Sequence, residues 1–294
     1  MIRLENLTKS FGRAKALDGL NLNVARGEKV ALVGSNGAGK TTLFRCLLGE
    51  YAHEGLVRVA GLDPRRDRTE TLRRIGFVPQ LPPPLKMPVD ELIAFATGVS
   101  GASRQNIVDV CDALGLDLAE VGRRPFLKLS GGQKQKLLIA IALGRNAIFL
   151  ILDEPAANLD PPARAALFEL LQQRGDDTML VSSHRIDEVA GLGARVVELD
   201  RGRVVFDDAS LGAGHVRHAM RVSLTVRHTD AAFAKAAHEW GFISEDGGLS
   251  WDGVVSGSDR LRFFSLLARY SGLLLDASLD TDQGKRHDPL QSCA

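Results

Sequence analysis

The sequence predicts an α/β domain on a largely parallel sheet followed by a small α+β unit, and three observations carry that prediction. From residue 1 to about 205, β-rich runs alternate with helical patterns, as in chains built from successive βα units. Val30–Gly34 and Ala147–Leu152 are short, almost wholly apolar and bounded by polar or Gly-containing segments, which suits strands buried on both faces. After about residue 210 the order becomes strand, helix, hairpin, helix, strand.

The elements follow in order. Val30–Gly34 runs into a Gly-rich stretch and then a helical pattern. Residues 79–88 hold Pro79, Pro82, Pro83, Pro84 and Pro88, a density that excludes helix or central strand and leaves a loop. Ile107, Cys111 and Leu114 recur at helical spacing with Gly115 as C-terminal cap. Asp160 followed by Pro161 reads as a helix N-cap with proline at the first helical position, and Met179–Ser182 as a strand. The second unit is read as βαββαβ: a strand at Arg221–Val226, a helix at Asp230–Trp240, a hairpin around Asp246-Gly247-Gly248, a helix over 259–270 and a strand at Leu273–Asp276. Expected boundaries are 1–208 for the first domain, 215–280 for the second and 281–294 for a polar tail.

Composition narrows the function. The chain has 294 residues, room for one sizeable core and a smaller one, with 45% hydrophobic and 25% charged residues, the balance of an ordinary globular protein. Lys plus Arg number 37 against 36 Asp plus Glu, so no general nucleic-acid surface is expected and any phosphate affinity has to be local. The start, Met1 to Asn6, lacks the apolar stretch of a secretory signal. The most apolar region, Leu137–Leu152, is broken by Gly144, Arg145 and Asn146, and each half is too short to span hydrocarbon. Cys46, Cys111 and Cys293 are odd in number and far apart, which fits reduced thiols, with Cys46 and Cys111 as small core residues.

The chemistry begins at Gly34-Ser35-Asn36-Gly37-Ala38-Gly39-Lys40-Thr41-Thr42, a G-x-x-x-x-G-K-T placed directly after a strand and before a helix. Glycines let consecutive N–H groups point at phosphate oxygens, and the helix N-terminus adds partial positive charge. Lys40 then reaches the β- and γ-phosphates, and the Thr41 hydroxyl ligates magnesium. The plain alternative is a Gly-rich turn before a helix. Asp153-Glu154 ends the buried run Ala147–Leu152. Strand alternation sends the two carboxylates different ways, so Asp153 can serve the magnesium shell while Glu154 polarises a water for attack on the γ-phosphate.

With Leu129-Ser130-Gly131-Gly132-Gln133 upstream of that pair, the sequence closely resembles the ABC ATPase family, whose signature stands there. The resemblance covers residues 1 to about 208 and implies a P-loop NTPase fold of ABC type with a helical subdomain. It also implies ATP and Mg2+ as cofactors and a head-to-tail dimer of cassettes, in which Ser130, Gly131, Gly132 and Gln133 complete the ATP site of the opposite subunit. By the same resemblance Phe11 stacks on adenine, and Gln80 links the magnesium site to a membrane partner. Asn158-Leu159-Asp160 forms an inter-subunit loop and His184 is a switch histidine. Taken singly, Phe11 also reads as core, Gln80 as a solvated loop residue and His184 as a satisfied histidine after a strand. Departures from the family pattern are Ala157-Asn158-Leu159-Asp160, where a glycine is commoner before the leucine, and Lys136 in place of arginine.

The function so implied is ATP hydrolysis coupled to conformational change in a separate multi-spanning membrane subunit, by a homodimer at the cytoplasmic face of the inner or plasma membrane. The second unit resembles the small domain after the cassette in some type-2 exporters, including drug exporters and the transporter that matures the copper enzyme nitrous oxide reductase, which favours export over import. The rival readings are a soluble, non-transport ABC ATPase and a regulatory nucleotide-binding module. A single cassette with balanced charge weighs against the first, and intact Glu154 and His184 against the second. His215 and His218, in a polar linker, read as solvated side chains.

Overall fold

The structure is a computed structural model that describes residues 1–183, 189, 192–207, 220–244, 246–255, 263, 266–267 and 269–281. It divides into two compact units, Met1–Asp208 and Ala209–Ala294.

The first unit opens with β1 (Ile2–Phe11) and β2 (Ala14–Val24), an antiparallel hairpin closed at Phe11 opposite Ala14. Gly12 in this turn has φ 59°, the left-handed region where glycine carries no Cβ penalty. β3 (Lys29–Val33) leads into α1 (Lys40–Leu47), and β4 (Glu54–Val59) returns to pair antiparallel with β1, giving a three-stranded sheet in the order β2-β1-β4. This separate antiparallel sheet is a finding beyond the expected parallel one. Its strands alternate, burying Ile2, Leu4 and Leu7 from β1 and Leu20, Leu22 and Val24 from β2, which is the pattern of a sheet covered on one face.

The expected parallel sheet has six strands in the order β5-β6-β7-β3-β8-β9, formed with β5 (Ile75–Val78), β6 (Phe149–Asp153), β7 (Thr178–Ser182), β8 (Arg195–Asp200) and β9 (Arg203–Asp207). Every neighbouring pair is parallel except β8–β9. β3, β6 and β7 are the runs Val30–Gly34, Ala147–Leu152 and Met179–Ser182 with shifts of one or two residues. Val30, Leu32, Phe149, Ile151 and Leu180 join α1 residues Leu43 and Phe44 in one core.

α2 (Arg68–Arg73) leads into β5, and between β5 and β6 the chain makes a helical subdomain of α3 (Val89–Ser100), α4 (Arg104–Ala113), α5 (Leu118–Val121) and α6 (Gly131–Leu143). Val89, Ile93, Ile107, Cys111, Phe126 and Leu137 form part of its own core. Gly115 follows α4 at φ 68°, with Gly115 N–H donating to Asp112 O and Leu116 N–H to Cys111 O. Those two bonds are the Schellman arrangement that stops a helix. α7 (Pro161–Gln173) starts as expected, with Asp160 accepting from Ala163 N–H at 2.9 Å and proline at its first position. Among the described residues, no helix is long and apolar enough to cross a membrane.

In the second unit β10 (Met220–Val226) lies between β11 (Ser250–Val255) and β12 (Leu274–Thr281) in an antiparallel sheet, and the helix Ala231–Glu239 is capped by Asp230. The turn at Asp246-Gly247-Gly248 falls where the sequence puts it, but its first arm is only an Ile243–Asp252 bridge. The Asp246 carboxylate accepts from Leu249 N–H at 3.1 Å and Ser250 N–H at 2.7 Å, so a side chain takes bonds that a longer ladder would have supplied. The helix expected over 259–270 lies largely outside the described residues, as do His215, His218, Cys293 and the tail from residue 282.

Candidate functional site

Parallel strands all present their carboxyl ends on one side of a sheet, and there an open α/β sheet places its ligands. Here β3 ends at the glycine loop, β6 at Asp153-Glu154 and β7 at Ser182-Ser183, while Gln80 stands two residues beyond the end of β5. The order β5-β6-β7-β3 therefore sets the sequence-distant motifs side by side.

The loop itself can be built only from glycine at two places. Gly34 has φ 146°, and a Cβ there would lie 2.3 Å from Leu199 O; Gly39 has φ 112°, with a Cβ 2.7 Å from Ala16 O. Ser35, Asn36 and Gly37 are exposed, whereas Ala38 and Lys40 are buried. Lys40 Nζ donates to Gly34 O at 2.6 Å and Ser35 O at 3.2 Å, so the ammonium lies under the loop's own backbone. Burial pulls the Lys40 ammonium below its ordinary value, and the nearby Glu154 and Asp153 carboxylates act in the opposite direction. Thr41 and Thr42, in the first turn of α1, are half-buried.

Asp153 is 1% exposed. Its Oδ2 accepts from Thr41 Oγ1 at 2.9 Å and its Oδ1 from Ser182 Oγ at 2.7 Å. Burial pushes its carboxyl up from the ordinary range, opposed by those two hydrogen bonds. Glu154, half-buried, adopts φ 50° and donates its N–H to Ser182 Oγ at 2.9 Å. Ser182 thus touches both carboxylate residues. Sequence reading used it only as the end of a strand; the available signal was a hydroxyl closing an apolar run, in register opposite Asp153. Thr41 and Asp153 are hard oxygen donors within hydrogen-bond reach of each other beside a lysine, a set that fits a magnesium ion bound with phosphate oxygens.

Ser130-Gly131-Gly132-Gln133 opens α6 with a capping box: Gln133 N–H donates to Ser130 Oγ at 3.1 Å and Ser130 N–H to Gln133 Oε1 at 3.0 Å. Among the described residues, no hydrogen bond joins this segment to the glycine loop of the same chain. Phe11 is 48% exposed at the tip of the β1–β2 hairpin, edge-on to Tyr51 at 5.3 Å and with Lys9 Nζ 4.7 Å above its ring. An exposed aromatic held by a neighbour suits a stacking platform better than a core role. Gln80 is half-buried. Asp160, besides capping α7, accepts from Lys136 Nζ at 3.0 Å. His184 lies outside the described residues.

Residues 17–157 match the family model described as ABC transporter. The lantibiotic transport ATP-binding protein SrtF of Streptococcus pyogenes is 32% identical over 212 residues, 70% of this chain and 90% of the relative. The methionine import ATP-binding protein MetN of Rhizobium etli is 34% identical over 218 residues, 70% of this chain but 60% of the relative. Among solved structures, the dimeric post-hydrolysis state of the ATP-binding cassette MJ0796 bound to ADP and Pi superposes with a TM-score of 0.62 at 26% identity, covering 70% of this chain and 97% of that one.

Proposed function

This chain belongs to the ABC transporter family of ATP-binding cassettes and is an ATPase, and from that premise we propose how its residues divide the work. The observation that carries the reading is the connected set Thr41–Asp153–Ser182–Glu154 beside Lys40 at the carboxyl ends of β3, β6 and β7. The N–H groups of Gly34 to Thr42 cradle the phosphates, and Lys40 leaves its backbone partners for the β- and γ-phosphates. Phe11 stacks on adenine.

Thr41 and Asp153, with Gln80 contributing from its loop, would hold Mg2+, whose chemistry is to neutralise charge on the β- and γ-phosphate oxygens. Glu154 accepts a proton from the attacking water as its oxygen bonds to the γ-phosphorus and the bond to the β–γ bridging oxygen breaks. No covalent protein intermediate forms. His184 contacts the γ-phosphate. Ser130 to Gln133 and the Asp160 loop serve the nucleotide of a second copy, supported by the exposure of Ser130 and Gly131 at the start of α6 and by the cassette dimer of the structural relative.

The finer reading is coupling of this cycle to a multi-spanning membrane subunit, with the cassette dimer peripheral at the cytoplasmic face. Relatives of both a lantibiotic transport and a methionine import kind leave direction to other features. The small unit after the cassette favours export, with residues 215–280 as an accessory domain. Lys40→Ala tests the site assignment: affinity for a fluorescent ATP analogue and turnover should both fall at least tenfold with the fold intact by circular dichroism. Unchanged affinity would remove the glycine loop from its role, and failure of a co-expressed membrane protein to co-purify would count against transport.

A further inference from the structure

Gln135 is a polar residue in an apolar setting. It is 0% exposed on α6, a helix that also buries Leu137, Ile139 and Ala140. Its Nε2 donates to Pro155 O at 3.0 Å, while its Oε1 has no partner among the described residues. A buried amide with one end unsatisfied costs free energy that a methionine of similar shape would not, so stability alone does not account for it.

The bond it makes falls one residue beyond Glu154, whose φ of 50° is a conformation that persists in a side-chain-bearing residue only where the surroundings hold it. Further contacts tie the same segment to the same helix. A Cβ on Gly132 would lie 3.0 Å from Asn158 O, and Lys136 Nζ meets Asp160 Oδ2 at 3.0 Å. Residues 155–160 are thus fastened along α6, with the Gln135 bond nearest to Glu154.

We propose that Gln135 is a positioning residue for hydrolysis: its amide N–H fixes the Pro155 peptide and so aims the Glu154 carboxylate. The inference rests on Glu154 acting as the base. Buried on α6 and bonded to Pro155 O, Gln135 acts through the backbone. Its loss should therefore lower kcat and leave KM for ATP nearly unchanged.

In Gln135→Met, kcat should fall about tenfold, the expected consequence of freeing one buried carbonyl. The thermal midpoint should change little, because the unpartnered Oε1 leaves together with the donor. Gln135→Glu supplies an independent reading. A carboxylate there cannot donate to Pro155 O, but a carboxyl raised by burial regains the donor as pH falls. The ratio of Gln135→Glu to wild-type kcat, measured at the same pH, should rise from pH 8 to pH 6. A Gln135→Met kcat within twofold of wild type, or a Gln135→Glu ratio flat with pH, overturns the inference, and if the methionine variant does not fold the ratio alone decides. Lys40→Ala run in parallel separates the two levels. Turnover that survives it sinks the site reading itself, whereas turnover lost in Lys40→Ala but retained in Gln135→Met sinks only the role of Gln135.

Discussion

In the unit Met1–Asp208, Lys40, Thr71, Gln135, Asp153, Thr178, Ser182 and Ser183 are buried among leucines and valines; in Ala209–Ala294 every described buried side chain is apolar, from Val222 to Trp251 and Phe263. In both units helix packs on sheet and buries its apolar side chains, so the apolar rule is the same. Polar groups are expensive to bury and are kept where they are partnered. In the first unit Asp153, Ser182 and Ser183 stand at the carboxyl ends of β6 and β7, Lys40 opens α1 beside them and Gln135 bonds the loop after β6, whereas Thr71 on α2 and Thr178 at the start of β7 lie away from them. Buried polar groups that meet at the strand ends, as Asp153 and Ser182 do, set the first unit apart from the second.

The largest effect that would break this contrast lies in the second unit. Trp251 is 2% exposed, meets Phe233 edge-on at 6.0 Å, and donates Nε1–H to Gly248 O at 3.0 Å. Trp251→Ala should destabilise that unit by about 3–5 kcal/mol, read by urea denaturation, and leave ATP affinity within twofold. A matching loss of ATP binding would mean that the second unit takes part in the nucleotide site.

A smaller effect sharpens the contrast from the other side. Ser182→Ala removes the hydroxyl that bonds Asp153 Oδ1 and accepts the Glu154 N–H, leaving both without that partner. Steady-state kinetics should show kcat lowered about tenfold, the scale of roughly 1–3 kcal/mol for an unsatisfied buried group. Unchanged kcat would make Ser182 a structural strand end and nothing more.

The smallest effect concerns thiols. Burial pushes Cys46 up to about 11 and Cys111 up to about 12. Folding therefore favours the neutral thiols: their contribution is complete below about pH 9, the unfolded value, and is lost as pH rises toward 11 and 12. Peptide mass spectrometry after brief iodoacetamide treatment at pH 8 should find both unmodified in folded protein and modified in urea. Rapid alkylation of Cys46 in the folded chain would show α1 to be far less tightly packed than its core contacts imply.

How legible these features were depended on distance along the chain. The glycine loop, the Asp153-Glu154 pair, the Asp160 cap and the Gly115 stop are each written within a few residues, because turn, cap and strand-end chemistry is local. The Ser182–Asp153 and Gln135–Pro155 bonds were not, since they depend on β6 pairing with β7 and on α6 packing beside residues 155–160. The division into a parallel and an antiparallel sheet was hidden for the same reason. β1, β2 and β4 were legible only as β-rich runs, and which partners they take is decided by the β1–β2 turn and by β4 returning past α1.

Glu154, held at the end of β6, is the proposed base for ATP hydrolysis. Glu154→Gln keeps shape and volume while removing proton acceptance, so it tests that claim with little disturbance to binding. Turnover and ATP-dependent dimerisation of this variant, measured together by phosphate release and size-exclusion chromatography, should give hydrolysis slowed on the order of a hundredfold or more and an ATP-bound dimer that accumulates. Near-normal phosphate release from the variant would contradict the assignment and return the catalytic role to another group at the ends of these strands.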